Sequence, residues 1–151
     1  MRRPGRTTSW AVSSREIEDL AKFRYGIRRF LRFSENAARK TGVTPQQHQL
    51  MLGVAGFTGR GWASISELAE FLQERHNAVV ELVNRASRAG LVRREISASD
   101  RRVVHVELTP RGRAILLRLS ALHHEELGSI RSGRRENWLR QIARSSQQAV
   151  T

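Results

Sequence analysis

Residues 64–94 have the sequence SISELAEFLQERHNAVVELVNRASRAGLVRR, and this stretch decides the expected fold. Its first part predicts a short helix around residues 67–72, with Ser64 or Ser66 as the N-cap. Its second part predicts a helix over about residues 75–89, which Gly90 is expected to end. Four apolar residues of that helix recur at the spacing of one buried face: Val79, Leu82, Val83 and Ala86.

The apolar period changes from 3.6 to 2 after Gly90. Residues 91–96 and 103–108 predict short strands, and the polar residues 97–102 between them predict a tight turn. Two close helices followed by a basic hairpin are typical of a winged helix-turn-helix. In such a fold the second helix fits the major groove of DNA, while the hairpin, or wing, reaches an adjacent minor groove.

The flanking segments predict further helices. One begins at Ser13 or Ser14 and ends near Gly42, and a second begins at Thr44-Pro45, ends near Gly56 and is followed by a loop over residues 57–63. The first of these carries an apolar stripe: Ile17, Leu20, Phe23, Ile27, Phe30, Leu31 and Ala37, with Ser34 in the gap.

Another helix is expected after Thr109-Pro110, broken at Ser132-Gly133, and a last one carries Trp138, Leu139 and Ile142. The helix after Pro110 has its own stripe: Ile115, Leu116, Leu119, Leu122, His123, Leu127 and Ile130. A small winged domain does not have enough surface to cover both stripes, which favours a dimer.

The expected fold is therefore mainly α, with a small β-hairpin wing. We expect a flexible basic arm (residues 1–12), an N-terminal dimerisation helix (13–42), a winged helix-turn-helix domain (43–108) and C-terminal dimerisation helices (109–151).

Composition points to a polyanionic partner. The chain has 27 Lys and Arg against 14 Asp and Glu, a net charge of +13, and nearly all of the cations are arginine. Residues 1–63 hold 12 basic and 4 acidic groups (net +8), residues 64–108 hold 7 of each, and residues 109–151 hold 8 and 3 (net +5). Arginine's planar fork suits phosphate and guanine, so nucleic acid is the expected partner.

Several classes are disfavoured. With 0 cysteines there is no disulfide scaffold, thiolate zinc site or cysteine redox sensor. No apolar run approaches the roughly 20 residues that span a bilayer, and no signal peptide follows the N-terminal arginines, so we expect a cytoplasmic protein without membrane association. No catalytic motif is present, so we expect neither an enzyme nor a bound cofactor. His123 and Glu126 share a helix face, but a solvated or interfacial polar cluster is the preferred interpretation over a metal site.

The sequence resembles the multiple-antibiotic-resistance regulator (MarR) family of transcriptional regulators. The resemblance rests on residues 64–94 together with SDRRVVHVELTPRGR at 99–113, where AGLV (89–92), DRR (100–102) and LTPRG (108–112) have the family's spacing. It implies a homodimer, interlocked through its terminal helices, that binds a pseudo-palindromic operator on double-stranded DNA as a sequence-specific regulator, with repression expected. The alternatives are a non-specific architectural nucleic-acid-binding protein and an interaction module that has lost DNA binding.

The resemblance also implies two sets of site residues. In the helix, Asn77 suits adenine and Arg75 or Arg85 suits guanine, while Glu81 is expected to pair with Arg85 rather than to accept from cytosine. In the wing, Asp100 is expected to orient one arginine, either Arg101 or Arg102, toward the minor groove. The expected DNA-contacting residues are Arg75, His76, Asn77, Val80, Glu81, Asn84, Arg85, Asp100, Arg101 and Arg102.

The family's regulators often release DNA on binding a small aromatic or anionic effector, so such a ligand is a further expectation. The predicted pocket walls are Phe23, Arg24, Ile27, His48, Leu52 and Trp62.

Overall fold

The computed structural model describes residues 11–57 and 59–131, which fall into two units, residues 11–32 and residues 33–131. The described part is mainly helical with one small sheet. Its elements are α1 (Ser14–Thr41), α2 (Pro45–Ala55), β1 (Trp62–Ser64), α3 (Ile65–Leu72), α4 (His76–Arg88), β2 (Val92–Ile96), β3 (Val104–Leu108) and α5 (Pro110–Arg131). This architecture confirms the predicted fold class. The predicted basic arm lies almost wholly outside the described residues, as do the break at Ser132-Gly133 and the last helix.

Local chemistry explains where the helices begin. Ser13 and Glu16 bond reciprocally at the start of α1, which makes Ser13 the cap. Thr44 and Gln47 form a capping box at α2, where Pro45 occupies the first turn. Ser64 and Glu67 form the same box at α3, so Ser64 is the N-cap and Ser66 is not.

The sheet has the strand order β1-β3-β2, and both pairings are antiparallel. The hairpin of β2 and β3 was predicted, but residues 62 and 63 were expected to lie in a loop. That expectation is wrong, because Ala63 pairs with Val106 on the far edge of β3. A strand of three residues is too short for its alternation to show in the sequence.

The core of the winged unit, residues 33–131, draws on every element within it. The predicted face of α4 is buried, and Val79, Val83 and Ala86 are completely inaccessible. Other fully buried large side chains are Leu50, Met51, Val54, Leu68, Leu91, Val92, Val106 and Leu119. At one end of α1, Ala37 and Ala38 also join this core.

The motif LTPRG joins the start of α5 to the end of α4. The Thr109 hydroxyl donates to the carbonyl oxygen of Gly90 (2.6 Å) and accepts from the amide of Gly112 (3.0 Å). Gly112 has no room for a side chain, because a Cβ there would overlap the backbone of Leu91. The motif therefore closes the hairpin against the first turn of α5.

Candidate nucleic-acid interface

Helix α4 presents its first turn to solvent. Its N-cap, Arg75, makes no side-chain capping bond, and Arg75, His76 and Asn77 are all exposed. The leading amide groups of a helix carry a partial positive charge that attracts anions such as phosphate. The start of α4 is thus an exposed, electropositive edge.

The rest of the outer face of α4 is mixed. Glu81 and Arg85 are exposed, whereas Val80 packs partly against the core and Asn84 is half-buried. Among the ion pairs of the described residues there is none between Glu81 and Arg85, so the predicted pairing is wrong. The carboxylate of Glu81 is left on the surface of this helix.

The wing turn is ordered by its own polar side chains. The Asp100 carboxylate accepts from the amide of Arg102 at 3.0 Å and lies 3.8 Å from the Arg102 guanidinium. The Ser97 and Ser99 hydroxyls lie 2.9 Å apart beneath the turn. Asp100 therefore contacts Arg102, whose side chain is 95% exposed, while Arg101 is exposed beside it.

A second arginine-centred cluster fixes the start of α3. Arg60 forms a two-point ion pair with Glu67, and its Nε donates to the carbonyl oxygen of Trp62 at 3.0 Å. Its guanidinium also lies over the rings of Phe57 (4.5 Å) and Trp62 (3.8 Å). The hydrogen bond from Arg60 holds the pKa of the Glu67 carboxyl below its usual value, so the carboxylate stays ionised as the capping group of α3.

Residues 41–103, which contain α2 to β2 and the wing turn, match the model of the MarR family. Over this segment, which is less than half of the chain, the protein is similar to the MarR family. The repressor MdtR of Bacillus subtilis, an HTH-type transcriptional repressor, is 33% identical over 73 residues, which are 48% of this chain and 45% of that protein. The match thus spans less than half the length of this curated relative.

Solved structures resemble the chain over most of its length. A MarR family protein from Bacillus stearothermophilus has a TM-score of 0.67 and 21% identity, covering 91% of this chain and 99% of that one. A point mutant of MepR from S. aureus, solved bound to an oligodeoxyribonucleotide, has a TM-score of 0.62 and 17% identity, covering 87% and 95%. At these identities the likeness shows a shared fold.

The outer face of the sheet carries a band of stacked and paired side chains. The rings of Trp62 and His105 stack at 3.5 Å, nearly parallel. Next to them, Arg93 donates to the Glu107 carboxylate at 2.7 Å, which raises the pKa of the Arg93 guanidinium. These contacts lie on the face of the sheet opposite the buried Val106, and an exposed ion pair such as Arg93–Glu107 adds little stability.

The six residues predicted to wall an effector pocket are distributed over both units. Phe23, Arg24 and Ile27 belong to residues 11–32, where Phe23 is 65% exposed. In the winged unit Leu52 is partly exposed and Trp62 stacks on His105. A concavity of about 290 Å³ does occur beside α4, but none of the six lines it; its walls are Gln46, Gln49, Leu72, Glu74, Ala78, Val79, Leu82 and Arg85.

His48 is buried in contact with another histidine. Only 2% of it is exposed, and its ring centre lies 4.9 Å from that of His123. Burial, and secondly the charge of His123, lower the pKa of His48 to about 4. The ring nitrogens of His123 lie 2.6 Å from the Leu119 carbonyl oxygen and 2.8 Å from the Ser34 hydroxyl, so both have protein partners.

Glu126, which was considered with His123 as a possible metal site, is buried. Within residues 11–57 and 59–131 no group of three or more His, Cys, Asp or Glu side chains is arranged to hold a metal ion. The helices in the same residues are all too short or too polar to cross a lipid bilayer.

Two arginines that organise the winged unit were not predicted from the sequence. Arg60 is one, and its only signal was its position between two aromatic residues. Arg94 is the other, because its Nη1 donates to Asn84 Oδ1 at 2.8 Å. Its signal was the alternation of β2, in which residue 94 falls on the same face as the apolar Val92 and Ile96.

Proposed function

We propose that the protein is a sequence-specific, double-stranded DNA-binding transcriptional regulator that represses transcription as a homodimer on a pseudo-palindromic operator. The observation that carries this proposal is the two-sided character of α4. One side is buried in the core, and the other presents Arg75, His76, Asn77 and Arg85 beside an arginine-tipped hairpin. An exposed helix of this kind fits the major groove, and its polar side chains reach base edges.

The wing supports the same proposal through a different part of the DNA. Arg101 and Arg102 are exposed at the end of a hairpin whose turn is held by Asp100. Arginine enters narrow minor grooves because the negative potential is concentrated there. We expect the helix to select sequence and the wing to contribute affinity through phosphate and groove shape.

The apolar side chains on the helix ends support the homodimer. Leu20 and Phe23 of α1 are 60% and 65% exposed, and Leu127 and Ile130 of α5 are 45% and 40% exposed. Apolar side chains repeated on a helix face at this exposure mark a surface for association. A second copy of the chain offers the same faces, as a two-fold dimer requires.

Binding titrations test whether the helix selects sequence while the wing contributes affinity. The duplexes are a site selected by the protein from random DNA and a scrambled version of it, each measured at several salt concentrations. Asn77→Ala and Arg85→Ala should each cost about 1–3 kcal/mol on the selected site and relax preference at one position per half-site. Arg101→Ala and Arg102→Ala, made singly and together, should weaken binding to both duplexes and make the salt dependence shallower.

Arg118→Ala is the matched control, because it removes one exposed positive charge from α5, an element that contributes no residue to the proposed DNA contacts. Equal losses on both duplexes from the helix variants would favour the alternative, a non-specific architectural protein. Release by a small aromatic or anionic effector remains a prediction from the family resemblance, and adding such compounds to the same titration tests it.

A further inference from the structure

One side-chain hydrogen bond joins the DNA-facing helix to the wing. Arg94 Nη1, in the middle of β2, donates to Asn84 Oδ1, on the third turn of α4, at 2.8 Å. Within residues 11–57 and 59–131, no other hydrogen bond or ion pair between side chains connects α4 with the hairpin. Since a guanidinium only donates, the Asn84 atom that faces it is the amide oxygen.

Neighbouring arginines of β2 point to opposite sides of the sheet. Arg94 pairs in register with the buried Val106, so it lies on the helix side. Arg93 pairs with Glu107 on the outer side, where the two side chains form an ion pair. The strand's two arginines therefore have different partners, and only Arg94 reaches α4.

Beyond Arg94 the helix-facing side of the hairpin no longer packs against the core. The next residue on the same face, Ile96, is 69% exposed. A concavity of about 270 Å³ separates the hairpin from the starts of α3 and α4, with His76, Arg94 and Arg102 among its walls. Apolar packing does not fill this gap. The pairing of β3 with β1 seats the base of the hairpin, and the Arg94–Asn84 bond is the side-chain link that ties its outer half to α4.

We propose that Asn84 and Arg94 are positioning residues, which hold the wing at the angle where helix and wing engage one duplex together. The proposal rests on the proposed DNA binding, and it changes the expected role of Asn84 from DNA contact to this link. Bidentate recognition of adenine needs an amide oxygen to accept and an amide nitrogen to donate. In Asn84 that oxygen already accepts from Arg94.

A double-mutant cycle on the selected duplex tests the link. Asn84→Ala should weaken binding about five- to tenfold in the wild-type background, as the loss of one exposed side-chain hydrogen bond implies. In the Arg94→Ala background the same change should cost less than about twofold, because its partner is already gone. An equal loss in both backgrounds would show that Asn84 acts on DNA directly, and would overturn the proposal.

A conservative variant separates position from base contact. Asn84→Asp keeps an acceptor for Arg94 and lowers the net charge by one. Arg93→Ala, on the outer face, lowers the net charge by the same amount and serves as its control. We expect these two variants to bind alike, with unchanged preference for the selected over the scrambled duplex. If Asn84→Asp lost that preference while Arg93→Ala kept it, Asn84 would be a base-reading residue and the proposal would fail.

A measurement on the free protein tests the Arg94–Asn84 link independently of DNA binding. Backbone amide order parameters for residues 95–103 should fall in Arg94→Ala and Asn84→Ala, and stay at wild-type values in Asn84→Asp and Arg93→Ala. Unchanged order parameters in all four variants would overturn the positioning role. Failure of the DNA-binding function has a different signature, because wild-type protein would then not distinguish the two duplexes.

Discussion

The core of the winged unit and the outer ends of the two long helices differ in how they accommodate apolar side chains. In that core Leu68, Val83 and Leu119 are completely buried. In the outer ends Phe23 of α1 is 65% exposed and Leu127 of α5 is 45% exposed. Burying such a side chain fully stabilises a protein by about 1.5–3 kcal/mol. The core of the winged unit is thus closed within one chain, whereas the helix ends carry apolar side chains that are left exposed to solvent.

Substitution of Gly112 should produce the largest effect, because it tests how rigid the winged unit is. In Gly112→Ala the new Cβ meets the Leu91 backbone, which is buried and cannot move aside as a flexible side chain would. We expect a loss of about 3 kcal/mol or more in the free energy of unfolding, measured by urea denaturation. A loss below about 1 kcal/mol would mean that α5 is seated loosely, and would weaken the comparison.

The buried histidine should make the stability of the winged unit depend on pH. His48 has a pKa of about 4 in the folded chain against 6.5 as its ordinary value, so between these values the unfolded chain binds more protons. Stability should therefore fall as the pH is lowered from about 6.5 to about 4, by up to about 3 kcal/mol, and this contribution should level off at lower pH.

Urea denaturation at a series of pH values measures this dependence. His48→Gln should show a shallower decline over the same range, because glutamine does not take up the proton. His76→Gln is the control, since His76 is exposed on α4 and its replacement should leave the wild-type slope. If His48→Gln retained the full slope, other groups would be its cause.

Substitutions at the outer helix ends should change the dimer dissociation constant rather than the free energy of unfolding of the separated chain. Phe23→Ala removes an apolar side chain from the predicted stripe of α1, and should raise the dimer dissociation constant about 10- to 100-fold, or about 1.4–2.8 kcal/mol. Its effect on the stability of the separated chain should stay within about 0.5 kcal/mol, as for other exposed positions. Sedimentation over a dilution series measures the first quantity.

Leu117→Ala is the matched control for Phe23→Ala. Leu117 is also 65% exposed, but it lies off the predicted stripe of α5, so the dissociation constant should not change. Equal effects from the two variants would show that exposure alone, and not the stripe, governs association.

The smallest expected effect comes from the other glycine of α5. Nothing lies within 4 Å of a Cβ built on Gly128, so Gly128→Ala meets no obstacle. Alanine costs less conformational entropy in a helix, and we expect a gain of about 0.5–1 kcal/mol in the free energy of unfolding. A loss of stability in this variant would show that the outer end of α5 is packed more closely than its exposed side chains suggest.

The sequence by itself determined the elements whose causes are local. The capping pair Thr44 and Gln47, the buried face of α4 and the alternation of the hairpin each depend on residues a few positions apart, so their patterns are visible in the chain. The exposed residues at the start of α4 and at the wing tip follow from the same patterns. The exposed positions of Asn77 and Arg102 were therefore predictable, while their contacts with DNA stay a prediction.

The tertiary structure decided the contacts between distant parts of the chain. Strand β1 forms because Ala63 pairs with Val106. The pKa of His48 is lowered because its side chain is buried, and secondly because it lies beside His123. Asn84 accepts from Arg94, whereas the local pair of Glu81 and Arg85 does not form. Helical spacing shows which residues are neighbours on one element, but a partner on another element is selected only when the core closes and brings the two surfaces together.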